Sequence, residues 1–144
     1  MNIAVASDHA AIELRHAICE ALAAKGIEYE DFGTHSTESC DYPDYAHLVG
    51  KKVASGEFTG GILICGTGIG MSIAANKIQG IRAALCNDPF CAEKSREHND
   101  ANVLCMGARV VGSGMAMMIL DKWLQTPFAG GRHALRVAKM EQNC

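Results

Sequence analysis

Gly61-Ile-Leu-Ile-Cys65-Gly-Thr-Gly-Ile-Gly70 runs a short apolar segment into three glycines at alternate positions. Met71-Ser-Ile-Ala-Ala-Asn-Lys77 follows with the composition of a helix. A buried strand that stops at a glycine-rich turn and opens a helix is one βα unit of a parallel sheet. The turn leaves backbone N–H groups aimed where an anion would sit. Cys65 sets a thiol at the mouth of that turn.

Outward from this unit the alternation repeats. Strands are predicted over 2–6, 27–32, 61–65, 81–86 and 103–106. Helices are predicted over 10–25, 43–55, 69–78, 89–98, 113–124 and 131–142. Leu14, Ile18, Ala21 and Leu22 share one face of the first helix, and Gly26 stops it. Pro43 starts the second helix. Strand alternating with helix predicts an α/β fold, a Rossmann-like three-layer sandwich with a five-stranded parallel sheet. The chain, 1–144, reads as a single domain.

Ligands of such sheets bind beyond the carboxyl ends of the strands. Polar residues collect there: Asp8 and His9 after the first strand, 65–70 after the third, Asn87 and Asp88 after the fourth, and 107–109 after the fifth. Gly130-Gly131 reads as a hinge before a basic tail helix.

The net charge of −3 gives no footprint for nucleic acid or an anionic membrane. No segment approaches the roughly 20 apolar residues of a membrane span. The first residues lack the basic and apolar regions of a signal peptide. Cys19, Cys40, Cys65, Cys86, Cys91, Cys105 and Cys144 are odd in number and scattered, with no CxxC pair. That pattern predicts reduced cytoplasmic thiols rather than a disulfide framework or a zinc site.

The glycine loop is not a Walker loop, since no Gly-Lys-Ser/Thr follows. Nor does it match the dinucleotide pattern, which opens after a first strand. A tight turn needing positive φ would account for one glycine. Three exceed that need and point to anion binding. A helix N-terminus and N–H donors favour the thiolate of Cys65, which suits a nucleophile or a base. The other cysteines read as small hydrophobes. Asp8 is read equally as a helix cap. His98 is either a dipole-favoured residue at a helix end or a proton carrier. Arg132 and Arg136 share a helix face and suit phosphate, although a solvated basic face has the same pattern. Arg109 falls at the ligand edge of the sheet. Met115-Ala-Met117-Met118 reads as core packing.

Taken in order along the chain, these pieces resemble the ribose-5-phosphate isomerase B family, which includes allose-6-phosphate and galactose-6-phosphate isomerases. The matching residues are Ser7-Asp8-His9, Asp41-Tyr-Pro43, the run from Gly60 to Gly70, Ala74-Ala-Asn-Lys77, Ser95-Arg-Glu-His-Asn-Asp-Ala-Asn102, Gly107-Ala-Arg-Val-Val-Gly112, and Gly130-Gly-Arg-His133 with Arg136. The likeness covers nearly the whole chain.

The resemblance implies an aldose–ketose isomerase with no metal and no organic cofactor, acting on ribose 5-phosphate and ribulose 5-phosphate. It implies that Cys65 moves the proton and His98 helps open the sugar ring. Thr67 and the loop of Gly66, Gly68, Ile69 and Gly70 would hold the enediolate oxygens. Asp8 and Asn99 would contact sugar oxygens, and His9, Arg109, Arg132 and Arg136 would surround the phosphate. It further implies a homodimer, or a dimer of dimers, with sites at the subunit interface and the helix over about 131–142 reaching the partner. One branch of the family carries a glutamate base six residues after the cysteine position. Here that position is Met71, which cannot take a proton, so the base falls on Cys65.

Two other readings differ in substrate or class. A six-carbon sugar phosphate such as allose 6-phosphate or galactose 6-phosphate needs only a longer pocket. A non-catalytic flavodoxin-like module would be yellow with flavin. As a receiver it would carry an acidic cluster after the first strand and an aspartate after the third. The chain has Asp8 alone and Cys65 in those places.

Overall fold

The structure, a computed structural model, describes residues 1–142. Cys144 lies outside them. The elements in chain order are β1 (Asn2–Ser7), a 3-10 turn (His9–Ala11), α1 (Ile12–Ala24), β2 (Glu28–Asp31), α2 (Tyr42–Ala54), β3 (Gly60–Cys65), α3 (Ile69–Ala75), β4 (Ala83–Leu85), α4 (Pro89–Asn99), β5 (Val103–Gly107), α5 (Ser113–Gln125) and α6 (Arg132–Glu141).

All strand pairs are parallel, in the order β2-β1-β3-β5-β4. Helices α1, α4 and α5 cover one face and α2 and α3 the other, which gives the three-layer sandwich. β3 sits at the centre and every residue in it is buried. A strand buried on both faces must be apolar throughout, and Gly60-Gly-Ile-Leu-Ile-Cys65 is. The chain leaves β1 toward one edge and returns to β3 on the other side of it. The carboxyl ends of β1 and β3 therefore flank the crevice where such sheets take ligands.

Two features differ from the expectation. β4 is three residues long, and α3 ends at Ala75. The cause is Asn76. Its side chain donates to the Ala83 carbonyl at 2.9 Å and accepts from the Ala83 amide at 2.8 Å. That double bond ends the helix and fixes the start of the strand. Ile81 belongs to the core under the intervening turn, not to β4. The methionine run differs too. Ala116, Ile119, Leu120 and Trp123 take the inward face of α5, so Met115 and Met118 stand 41% and 57% exposed. Only Met117 packs against the core, in part.

Arg15 is fully buried, in a helix read as apolar on that side. Its Nε stands 3.0 Å from the Asp31 carboxylate, and its Nη1 donates to Ser7 Oγ at 2.8 Å. Ser7 Oγ in turn donates to the Asp8 carbonyl at 3.0 Å. The chain of bonds anchors the turn that carries Asp8 and His9. Removing Asp31 strands a buried guanidinium, so Asp31→Ala should cost about 3–5 kcal/mol in urea unfolding. A loss below about 1 kcal/mol would mean that Arg15 finds water instead.

Candidate active site

Cys65 ends β3 on the face covered by α2 and α3, and is 5% exposed. Its sulfur accepts the Gly68 amide at 3.1 Å. A backbone N–H aimed at sulfur is a contact that stabilises negative charge there. Gly68 reaches that position with φ of 76°, a left-handed conformation in which a side chain would also strike Leu85 and the Met106 backbone. Among the described residues, the amides of Gly66, Thr67 and Gly70 have no backbone acceptor. Ile69 donates to Thr67 Oγ1 at 3.3 Å. A sulfur beside several open donors is an arrangement that takes a proton next to a developing oxyanion.

The third glycine has a packing reason as well. A Cβ on Gly70 would collide with the Tyr42 ring. Tyr42, at the start of α2, therefore lies against the loop and is 39% exposed. No role was read for it in the sequence; a tyrosine before the helix-starting Pro43 was the available signal.

Asp8, His9 and Arg109 share the carboxyl edge of the sheet with this loop. The Asp8 amide donates to the Ile64 carbonyl at 3.3 Å, which ties its turn to β3. Asp8 Oδ1 caps the 3-10 turn through the Ala10 amide at 3.0 Å, and the cap engages one of its two oxygens. His9 Nδ1 accepts the Cys40 amide at 3.2 Å. A ring nitrogen that accepts carries no proton, so Nε2 of the neutral ring is the donor. His9 lines a cavity of about 590 Å³ together with Thr37, Ala108 and Ser113. Arg109 is exposed, its amide donates to the Gly66 carbonyl at 3.0 Å, and its side chain runs along Gly66.

His98, Asn99, Arg132 and Arg136 lie elsewhere. α4 starts beyond the carboxyl end of β4 and runs back to the amino edge of the sheet. Arg82, just ahead of β4, donates to the Asn99 and Asp100 carbonyls at 3.2 and 2.9 Å. A helix of this length covers about 15 Å. The two groups of candidate residues thus stand on opposite edges of one chain. His98 is 40% exposed, and Arg132 and Arg136 are exposed on α6. Arg132 opens α6, where the helix dipole disfavours a cation, and no acidic residue shares that turn. A second cavity, of about 370 Å³, opens between Arg82, Asn99 and Glu141. Neither cavity is lined by Cys65.

The thiols divide by environment. Burial pushes Cys19 and Cys86 up to about 11 and Cys105 further still. These groups stay protonated and act as small hydrophobes. The folded chain keeps their protons through the range in which the unfolded chain loses them. Stability should hold below about 9 and fall as pH rises toward about 11. A thermal midpoint flat across that window would show that other groups offset the thiols.

Among the described residues, no group of three His, Cys, Asp or Glu side chains is placed to hold a metal ion. No helix among them is long and apolar enough to cross a membrane.

A family model described as Ribose/Galactose Isomerase matches residues 3–140. The chain belongs to that family. Ribose-5-phosphate isomerase B of Escherichia coli (strain K12) is 54% identical over 136 residues, covering 94% of this chain and 91% of that protein. D-erythrulose-4-phosphate isomerase of Pectobacterium atrosepticum is 43% identical over 141 residues, covering 97% and 93%. The solved structure of Clostridium thermocellum ribose-5-phosphate isomerase B superposes with a TM-score of 0.97 at 53% identity, over 99% of this chain and 96% of that one.

Proposed function

We propose that this chain interconverts ribose 5-phosphate and ribulose 5-phosphate through an enediolate, acting as one sugar-phosphate isomerase domain. The observation that carries the reading is the Cys65 sulfur, held by the Gly68 amide beside the open amides of the glycine loop. Moving a carbonyl between neighbouring carbons requires a base at the carbon acid and donors for the oxygens. Cys65 removes the proton from the carbon beside the carbonyl and returns it to the adjacent carbon. Thr67 and the open amides of Gly66 and Gly70 hold the enediolate, while the Gly68 amide orients the sulfur and the Ile69 amide orients Thr67 Oγ1. Asp8 contacts sugar oxygens, and His9 and Arg109 meet the phosphate.

The remaining groups come from a second copy. His98 and Asn99 reach ring and sugar oxygens from the partner, with Arg132 and Arg136 on the phosphate. The separation of the two half-sites supports this assignment. So does the apolar surface near each of them. Ile69 and Ile73 stand 51% and 55% exposed on α3, and no residue of α6 is buried although Leu135 is 69% exposed. A homodimer buries such surface, and α6 is the element that reaches across. The free thiols fit a cytoplasmic setting.

Turnover of ribose 5-phosphate, allose 6-phosphate and galactose 6-phosphate by the purified protein tests the substrate. The reading expects the five-carbon substrate to have the highest kcat/KM. Preference for a six-carbon sugar would move the substrate while leaving the chemistry. No turnover of any aldose phosphate would overturn the reading.

A further inference from the structure

His98 and His133 face each other as a parallel pair. Their ring centroids are 4.2 Å apart and their planes differ by 6°. The pair depends on how the chain re-enters after α5. Gly130 and Gly131 both have positive φ, at 63° and 56°, and they turn α6 back onto α4. The Ala129 amide donates to the Glu97 carbonyl at 3.0 Å, which pins the turn to the end of α4. Gly130-Gly131, read from the sequence as a hinge, here serves as the bend that sets one imidazole over the other.

The charges around the pair are unequal. On α4, the Glu97 carboxylate stands 3.4 Å from His98 Nε2 and also pairs with Lys94. On α6, Arg132 and Arg136 add positive charge on the His133 side. Two stacked imidazolium rings repel, so the pair favours a single proton. Partial burial, followed by the charges of His98, Arg132 and Arg136, holds His133 below the ordinary imidazole range.

We propose that His133 is a positioning residue for sugar-ring opening: its ring, stacked on His98, fixes the plane of that imidazole. This rests on the isomerase reading above and assigns a residue that the reading leaves without a role. In ring opening the bond from C1 to the ring oxygen breaks and the C1 carbonyl forms. The hydroxyl proton leaves O1 and a proton arrives on the ring oxygen. An imidazole that relays a proton between two oxygens must be held in one plane and must not share a second charge with its neighbour. The stack supplies both conditions.

The test compares His133→Ala, His133→Phe and His98→Asn with the wild type. Ribose 5-phosphate turnover reads ring opening. Inhibition by ribitol 5-phosphate, an open-chain polyol that cannot react, reads phosphate and sugar binding alone. His133→Ala should lower kcat on ribose 5-phosphate by roughly 10- to 100-fold. The inhibition constant should stay within about twofold of wild type. His133→Phe keeps a neutral flat ring and should recover most of the rate. By NMR, the His133 imidazole in His98→Asn should titrate at higher pH than in the wild type.

A wild-type rate in His133→Ala would overturn the proposal. So would an inhibition constant that rises in step with the loss, which would make His133 a phosphate contact. Failure of His133→Phe to recover the rate would remove the stack as the cause, and an unmoved His133 titration would remove the charge coupling. Full activity in His98→Asn would sink the proposal but leave the isomerase intact. An inactive wild type would sink the isomerase reading itself.

Discussion

Replacing Cys65 with alanine should leave a folded, substrate-binding protein whose kcat falls by roughly three to four orders of magnitude. The sulfur sits at the end of the central strand and contributes one atom to the core on the α2–α3 face. Its loss should cost stability by only about 1 kcal/mol. The proposed site takes its phosphate and sugar contacts from other residues, so KM should change little, the signature of a group acting only in the chemical step. Met71, where the family's other branch carries a glutamate, is fully buried and has no basic atom. Cys65→Ser should be nearly as slow, since a hydroxyl is a much weaker acid than a thiol. Steady-state turnover of ribose 5-phosphate, with a melting curve of each variant, checks this. A Cys65→Ala enzyme that keeps more than about a tenth of the wild-type kcat would remove the thiol as the proton carrier.

The central part of the fold was legible because its signals are local. β1, β3 and β5 are apolar runs bounded by turn residues, and strand–helix alternation implies the parallel sheet. The carboxyl-edge half of the site followed from topology. Asp8, His9, Cys65, Thr67 and Arg109 each come directly after a strand, and the structure collects them at one edge. What was not legible depended on tertiary partners. The apolar character of Ile81 looked like strand, yet the Asn76 side chain takes over the pairing at Ala83. Met115 and Met118 looked like core, yet the helical phase set by Ile119 and Trp123 turns them outward. Arg15 shares an apolar helix face because Asp31 and Ser7, distant in sequence, meet its guanidinium. In the glycine loop the sequence assigns one glycine to a positive-φ turn and the other two to anion binding. The structure makes Gly68 the left-handed one and adds a packing reason, the Tyr42 ring, for Gly70. The position of His98 was the largest gap. Its motif says what chemistry it can do, and only the direction of α4 shows that it lies on the edge opposite Cys65.

That separation makes the shared site the central claim, and mixing two dead enzymes tests it most directly. Cys65→Ala lacks the proposed proton carrier and His98→Asn the proposed ring-opening group. Refolded together in equal amounts, half of the proposed dimers would be mixed. In a mixed dimer one site combines both defects and the other combines an intact Cys65 with the partner's intact His98. The mixture should therefore recover about one quarter of wild-type turnover on ribose 5-phosphate, as a two-fold symmetric interface requires. If Cys65 and His98 served the same site from one chain, every site in every dimer would carry a defect. A mixture no more active than its parents, with dimer exchange verified, would contradict the account.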